Sequence, residues 1–245
     1  MIKRTFDITV AVCGIVPLLP VMIAIATAVK LTSPGPVFYR QVRVGRNGRP
    51  FRIYKFRSMV CDAESRGGSL TIGGDSRITP VGRFLRRHKL DEWPQLFNVL
   101  RGEMSLVGPR PEVPEFIEMY PESYKRILRV RPGMTSRTTL AFRNEEQLLA
   151  AVADPRRLYR EKILPYKIMH ASKNLQHQHL SEDVRTIVAT IFNVAESITA
   201  EELERAAAEL PRLVRPAGRK APDFVPEADV ALEYEYAGST SGGST

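Results

Sequence analysis

The chain has 245 residues, enough for one well-packed domain with an appendage, and carries 36 Lys and Arg against 27 Asp and Glu, a net charge of +9. Its two cysteines, Cys13 and Cys61, are too few for a disulfide framework or a cysteine metal cluster and favour a reducing compartment. Residues 1–110 hold 18 basic and 7 acidic side chains, whereas residues 111–245 hold 18 and 20. The basic half predicts an anionic partner: phosphate groups, a lipid surface or nucleic acid.

The first predicted element is a membrane segment. Residues 8–29 form a 22-residue run without a charged side chain, long enough to cross a bilayer as a helix. Pro17 and Pro20 lie in the middle of this run and predict a break in the helix. Basic residues flank both ends, and such residues mark the cytoplasmic side of a membrane. We therefore favour a re-entrant helix that returns to the same face over a spanning anchor or a cleaved signal peptide.

A β-hairpin is predicted next. Residues 37–44 and 51–57 have strand composition, and the Asn-Gly pair between them is a hairpin turn signal. The arginines of this hairpin fit either a solvated basic face or a surface that lies against lipid headgroups and a phosphorylated substrate. Residues 65–76 predict a mobile loop without nucleotide-binding glycine spacing, and a cationic helix is expected within residues 77–89.

Two adjacent carboxylates, Asp91 and Glu92, follow this cationic run. Pro94 suits a first helical turn, which predicts a helix start here with Asp91 as its N-cap. A capping Asp beside a solvated Glu would be the structural interpretation. The neighbouring cations, and the downstream stretch Gly108-Pro109-Arg110-Pro111, instead favour the handling of a phosphorylated substrate.

The C-terminal half is predicted to be helical. We expect one helix over residues 111–129, another from residue 154 to near Pro165, and a last one that opens with a Thr199–Glu202 capping box. His170, His177 and His179 lack the supporting ligands of a metal site. The predicted fold is α+β and mostly helical: a compact domain with a small basic hairpin. Its predicted organisation is a re-entrant membrane helix at 1–32, a catalytic domain at 33–198, a C-terminal helix at 199–215 and a disordered tail at 216–245.

Seven short stretches occur in an order that is typical of one protein family. They are Lys3-Arg4-x-x-Asp7, Ser33-Pro34-Gly35-Pro36-Val37-Phe38, Gln41-x-Arg43-x-Gly45, Tyr54-Lys55-Phe56-Arg57-Ser58-Met59, Leu90-Asp91-Glu92-x-Pro94-Gln95-Leu96-x-Asn98-Val99, Met104-Ser105-Leu106-Val107-Gly108-Pro109-Arg110-Pro111 and Val130-Arg131-Pro132-Gly133-Met134-Thr135. Together, over about residues 1–190, they resemble the bacterial sugar transferases, which are small monotopic polyprenol-phosphate sugar-1-phosphate transferases (phosphoglycosyl transferases).

The resemblance implies an activity and its partners. Members of the family transfer a sugar-1-phosphate from a nucleotide sugar, usually a UDP-sugar, to a polyprenol phosphate such as undecaprenyl phosphate. UMP leaves, and Mg²⁺ is required. The family's acidic dyad matches Asp91, the expected nucleophile of a phospho-aspartyl intermediate, and Glu92; we expect Glu92, with Asp91, to bind the metal. The family's proline break matches Pro20. The implied location is the bacterial cytoplasmic membrane, with the catalytic domain on the cytoplasmic face and a role in polysaccharide or glycoconjugate synthesis.

Several further residues are candidates for substrate binding. Arg110 lies between two prolines that fix its backbone, and its guanidinium can bind a phosphate bidentately. The other basic candidates are Lys55, Arg57, Arg86 and Arg131. Asp183 is carried over from the resemblance. His88-Lys89 stands where the family usually has Ser or Thr, and the stretch after Gly133 also departs from well-known members, so the sugar stays open.

Two other functions fit parts of the sequence. One is a membrane-associated nucleotide-sugar glycosyltransferase that transfers the sugar without its phosphate and releases UDP. The other is a non-enzymatic, basic, membrane-anchored binding module. Nucleic acid is a poor partner because few aromatic residues accompany the arginines outside the hairpin. The binding module would also leave the Asp91–Glu92 pair without a role.

Overall fold

One long helix opens the fold, which we describe from a computed structural model covering residues 1–67, 70–175, 179–192, 194 and 197–209. The described chain is mostly helical and contains two two-stranded sheets. The helices are α1 (Ile2–Thr32), α2 (Ala63–Gly67), α3 (Pro80–Arg87), α4 (Gln95–Arg101), α5 (Pro114–Met119), α6 (Pro121–Ile127), α7 (Arg137–Ala141), α8 (Glu145–Ala150), α9 (Pro155–Leu158), α10 (Leu164–Asn174), α11 (Leu180–Ile191) and α12 (Ala200–Glu209). The strands are β1 (Phe38–Val44), β2 (Pro50–Phe56), β3 (Ser105–Val107) and β4 (Gly133–Thr135).

Helix α1 is long and apolar enough to cross a membrane. All 31 of its residues are helical, Pro17 and Pro20 included, so the helix is not interrupted at the predicted break. One stripe of α1 is buried against the rest of the chain, whereas many of its other apolar side chains are exposed. The re-entrant course of this helix therefore stays a prediction. The buried stripe consists of Asp7, Ala11, Met22, Ile25 and Val29.

Polar contacts attach both ends of α1 to the domain. Near its start, Arg4 donates to the carbonyl oxygens of Val99 (2.6 Å) and Leu100 (3.0 Å) in the last turn of α4. At its end, the buried Arg57 guanidinium donates to the backbone oxygen (2.8 Å) and hydroxyl (2.7 Å) of Ser33. A cation at a helix C-terminus is favourable because the carbonyl groups there lack intrahelical partners.

Strands β1 and β2 pair antiparallel, and Asn47 in the turn between them has φ = 59°. This left-handed conformation is one that Asn tolerates, as the Asn-Gly signal requires. The register places Tyr39 opposite Lys55. Because side chains alternate across a strand, Lys55 projects from the same face of the hairpin as Tyr39, Gln41 and Arg43.

Helix α4 is attached to β2 by a buried amide. The Asn98 side chain accepts from the Tyr54 backbone N–H (3.0 Å) and donates to the Arg52 carbonyl (2.8 Å) and to Glu103 (2.7 Å). Asn98 is fully buried, so each of these groups would lose a partner without it. The amide therefore fixes the start of α4, and the residues just before it, relative to strand β2.

The C-terminal helices differ from the prediction at two prolines. The single helix predicted over residues 111–129 is wrong: α5 ends at Met119 and α6 begins at Pro121, because a proline suits a first helical turn better than an interior. Pro165 does not end a helix either. A π-helical turn, Tyr159–Ile163, precedes it, and α10 runs on through it.

The capping box at the start of α12 is confirmed. The Glu202 carboxylate accepts from the Thr199 backbone N–H, and the Thr199 hydroxyl accepts from the Glu202 N–H. The predicted end of this helix near Val214 and the tail at 216–245 lie outside the described residues.

Three clusters of buried apolar side chains form the core. One surrounds α10 and the π-helical turn, with Phe116, Tyr159 and Ile163 among its members. The second joins the first half of α1 to β2, α4 and β3, and the third joins its second half to α3 and Phe56. Helix α1 is thus an integral part of the packing in both of the latter clusters.

The Asn98 contacts generate a stability prediction. Replacing Asn98 with Ala leaves a buried N–H and a buried carbonyl of β2 without partners, which should lower the free energy of unfolding by about 2–4 kcal/mol. Gln147→Ala removes an exposed amide from α8 and should stay within about 0.5 kcal/mol of the unmodified protein. Chemical denaturation of both variants and of the unmodified protein in the same detergent measures these free energies. Equal losses in the two variants would contradict the role of Asn98.

Candidate active site

The acidic pair lies in a short turn of its own. Leu90–Glu92 forms a 3-10 turn, and α4 begins only at Gln95, with Pro94 as its N-cap residue. The prediction that Asp91 caps this helix is wrong, because Asp91 makes no side-chain bond to the helix. Lys89, just before the turn, has φ = 56°. Because Asp91 caps no helix, its carboxylate has no role in the local structure.

Glu92 is held by two cations from different parts of the chain. Its Oε1 atom accepts from the Lys55 ammonium on β2 (2.8 Å) and from the Arg110 guanidinium (2.8 Å). Burial alone would raise the pKa of Glu92, but Arg110 and Lys55 together hold it well below its usual range. In turn, Glu92 raises the pKa of Arg110 above its ordinary value. The Glu92 carboxylate is thus ionised, and the positive charges of Lys55 and Arg110 compensate its negative charge.

Asp91 is buried beside this ion triad without a hydrogen-bond partner of its own. Only 5% of the residue is exposed, and its Oδ1 atom bonds to no other group in the described residues. Burial raises the pKa of Asp91 above that of an ordinary aspartate; Lys55 opposes the shift and Glu92 adds to it. A buried carboxylate oxygen without a hydrogen-bond partner costs free energy, and such groups concentrate where chemistry needs them.

The loop that carries Arg110 is fixed by a close backbone contact. Strands β3 and β4 pair in parallel, and Gly108 at the end of β3 packs directly against Gly133. A Cβ atom on Gly133 would lie 2.0 Å from the Gly108 nitrogen, so only glycine fits there. Arg43 donates to the Pro111 carbonyl (3.0 Å) on the other side of Arg110. The Gln41-x-Arg43-x-Gly45 motif contains Arg43, but the sequence did not predict this contact.

The predicted site residues divide into two groups. Lys55 and Arg110 contact Glu92 directly. Arg86 pairs with Glu146, and its charge favours the ionised form of Asp91. These three basic residues therefore surround the acidic pair.

The remaining candidate residues make their contacts with parts of the chain other than the acidic pair. Arg57 caps the end of α1, and Arg131 donates to the Gly102 carbonyl (2.9 Å) just after α4. Asp183, on α11, pairs with Lys3 on α1. Pro17 and Pro20 lie inside α1. The contacts of Arg57, Arg131 and Asp183 join separate elements of the fold.

The acidic pair offers oxygen atoms of the type that Mg²⁺ takes from proteins when it is shared with phosphate groups. In the described residues no group of three or more His, Cys, Asp or Glu could hold a metal ion by itself. Mg²⁺, however, often takes only one or two carboxylates together with phosphate oxygens and water. The unbonded Oδ1 atom of Asp91 and the neighbouring carboxylate of Glu92 are hard oxygen donors of that kind.

Comparisons with known proteins agree with the motifs. The profile of the family described as "Bacterial sugar transferase" matches residues 1–197. The chain is 48% identical over 139 residues to the UDP-N-acetylgalactosamine-undecaprenyl-phosphate N-acetylgalactosaminephosphotransferase of Aeromonas hydrophila, covering 55% of this chain and 32% of that protein. It is 45% identical over 138 residues to the UDP-glucose:undecaprenyl-phosphate glucose-1-phosphate transferase of Escherichia coli (strain K12), covering 55% and 30%.

A shorter relative is matched over most of its length. The exopolysaccharide production protein ExoY of Sinorhizobium fredii is 36% identical over 166 residues, which is 62% of this chain and 74% of that protein. The match therefore spans about a third of the Aeromonas and Escherichia proteins but most of the Sinorhizobium protein. With a family match that runs from residue 1 to residue 197, the chain belongs to the bacterial sugar transferase family.

Proposed function

We propose that this protein transfers a sugar-1-phosphate from a UDP-sugar to undecaprenyl phosphate, releases UMP, and thereby performs a first membrane step of polysaccharide or glycoconjugate synthesis. The observation that carries this proposal is the buried, unbonded carboxylate of Asp91 beside a Glu92 that two cations neutralise. The named activities of the Aeromonas and Escherichia relatives support the same reaction class.

In the proposed reaction Asp91 is the nucleophile. One of its carboxylate oxygens attacks the phosphorus atom that bears the sugar, the bond from that phosphorus to the bridging oxygen breaks, and UMP leaves with the electron pair. The sugar phosphate is then bonded to Asp91. An oxygen of undecaprenyl phosphate attacks the same phosphorus, the bond to Asp91 breaks, and the carboxylate is restored.

The surrounding cations make this attack feasible. A carboxylate and a diphosphate repel each other, so charge must be neutralised where they meet. Arg110 has five N–H donors and is partly exposed, and its Nη2 atom contacts Glu92. Its other donors suit phosphate oxygens, and Lys55 adds a second positive charge. Glu92 thus holds both cations beside the nucleophile.

We further propose that Mg²⁺ binds at Glu92 and Asp91 together with the diphosphate of the donor. When bound, the ion would neutralise phosphate charge and polarise the phosphorus centre. The small number of protein ligands agrees with the way Mg²⁺ is commonly shared with phosphates.

The acceptor is a membrane lipid, and we propose that α1 anchors the enzyme as a re-entrant helix with the catalytic domain on the cytoplasmic face. Support comes from the prolines inside the helix and the basic residues at both of its ends. The freed backbone carbonyls need partners within the protein, and the packing of α1 along the domain brings protein close to them.

The nucleophile assignment predicts the loss of both activity and covalent intermediate. Asp91→Asn should lower UMP release by at least about 10³-fold, because an amide cannot attack phosphorus. With a sugar-labelled donor and no acceptor, the unmodified protein should retain label after denaturation and the variant should not. Asp62→Asn, which changes an exposed Asp, is the matched control and should behave like the unmodified protein. Full labelling of the Asp91 variant, or release of UDP rather than UMP, would refute the mechanism.

The raised pKa of Asp91 predicts the pH dependence. Activity requires the ionised carboxylate, so it should be lost, as pH falls, at a higher pH than an ordinary aspartate would give. Lys55→Met removes a cation that favours ionisation of both acids. The acid limb of kcat/KM should therefore move to higher pH, and activity at neutral pH should fall by about 10²-fold.

The control for this pH prediction is Lys125→Met, which removes an exposed ammonium whose partner is Glu122. Its acid limb should coincide with that of the unmodified protein. An acid limb that stays in place in the Lys55 variant would show that Lys55 does not act on the catalytic carboxylate.

The re-entrant helix is tested by cysteine labelling in intact cells. In a background with Cys13→Ala and Cys61→Ala, one variant carries a cysteine in an N-terminal tag and another is Ser65→Cys in the catalytic domain. An impermeant thiol reagent should label both only after permeabilisation, because both would lie in the cytoplasm. Labelling of the tag alone in intact cells would establish a spanning helix instead.

A further inference from the structure

A second feature of the fold is a pocket with a volume of about 50 Å³ between α7, α10, α11 and the end of β3. None of the functions assigned above uses it. Its walls include Gly108 and Pro109, the two residues that precede Arg110. The polar side chains that line it include Thr138, Asn174, Glu182, Asp183 and Thr186.

The pocket lies close to Arg110, the candidate residue for binding phosphate. Only Pro109 lies between Gly108 and Arg110, so the Cα atoms of these two residues are at most about 7 Å apart. In a sugar nucleotide the sugar ring is bonded directly to a phosphate. A donor whose diphosphate contacts Arg110 can therefore place its ring at the wall formed by Gly108 and Pro109.

The walls carry donors and acceptors without a large net charge. The Asp183 carboxylate pairs with Lys3, and Glu182 pairs with Arg137. A phosphate group would meet two carboxylates whose nearest cations are already engaged. A neutral ligand with several hydroxyl groups can bond to the same walls without that repulsion.

Three side chains are suited to recognise hydroxyl groups. The Thr186 hydroxyl donates to the Glu182 carbonyl (2.8 Å), which leaves its lone pairs to accept from a ligand. The Thr138 hydroxyl and the Asn174 amide lie 3.0 and 3.1 Å from His170 Nδ1. Ala171 and Leu175 add apolar surface for the C–H groups of a ring.

We propose that this pocket binds the hydroxylated ring of the donor sugar, and that Thr138, Asn174 and Thr186 determine which sugar is accepted. The proposal rests on the function proposed above, because it assigns a substrate group to the same site. Ser136 and Arg137, the two residues before Thr138, also line the pocket.

The test compares two identical substitutions one turn apart on α11. Thr186→Val changes a pocket residue, whereas Thr190 lies outside the pocket lining and is the matched control. Each hydroxyl donates to the carbonyl four residues earlier, and the Thr190 hydroxyl also bonds the Thr135 hydroxyl (2.7 Å), so the control variant loses at least as many hydrogen bonds as the pocket variant. Thr138→Val changes a pocket residue on α7 and serves as a second pocket variant. Each protein is assayed for UMP release from UDP-sugars that differ at C2 and C4.

The pocket variants should lower kcat/KM for the preferred sugar by about 10-fold or more and change the order of preference, because a site that bonds a hydroxyl discriminates strongly against ligands lacking it. The inhibition constant of the product UMP should stay within about 2-fold in every variant, since UMP has no sugar-bearing phosphate and no donor sugar. Thr190→Val should keep the original order of preference.

Three results would overturn the assignment. These are an unchanged order of preference in both pocket variants, an equal change in Thr190→Val, and an effect on the KM for undecaprenyl phosphate alone. If the unmodified protein releases no UMP from any donor, the proposed function itself fails and the assignment falls with it. An active unmodified protein with unaffected pocket variants would refute the pocket assignment only.

Discussion

The site depends on one carboxylate that two cations share. Glu92 accepts from Lys55 and Arg110 at the same oxygen, and these cations come from β2 and from the loop after β3. Removing Glu92 would leave two cations without their shared partner in a partly buried place, which proteins tolerate poorly. This triad also leaves Asp91 without a bonded cation of its own, which supports the nucleophilic role that we propose for its carboxylate.

The rest of the fold holds the three members of this triad at their positions. Asn98 ties α4 to β2 and thus sets the acidic pair against Lys55. The contact between Gly108 and Gly133, together with the bond from Arg43 to Pro111, fixes the loop of Arg110 from both sides. Helix α1 packs along the same elements, so the proposed membrane anchor belongs to two of the core clusters that hold the site in place.

Local sequence patterns correctly predicted features that depend on neighbouring residues. They failed where contacts between residues far apart in sequence determine the position of a side chain. The Thr199–Glu202 capping box depends on four consecutive residues and is confirmed. Asp91 also had the local pattern of a cap, but its carboxylate lies beside the ion triad and makes no cap bond. Likewise, Arg57 carried a general basic signal, and only the folded chain shows that it bonds the end of α1. The roles of Asn98 and Arg43 could not be predicted because their partners lie 44 to 68 residues away in sequence.

The central claim is that Asp91 is kept buried and unbonded at a cost in stability. Because its folded-state pKa is raised, the folded state holds the proton more tightly than the unfolded state, and stability is lost as pH rises through that pKa. The most direct measurement is the free energy of unfolding of Asp91→Asn and of the unmodified protein across pH. The variant should be the more stable at neutral pH, and the difference should shrink as the solution is made acidic. A variant that is less stable by an amount independent of pH would contradict the account.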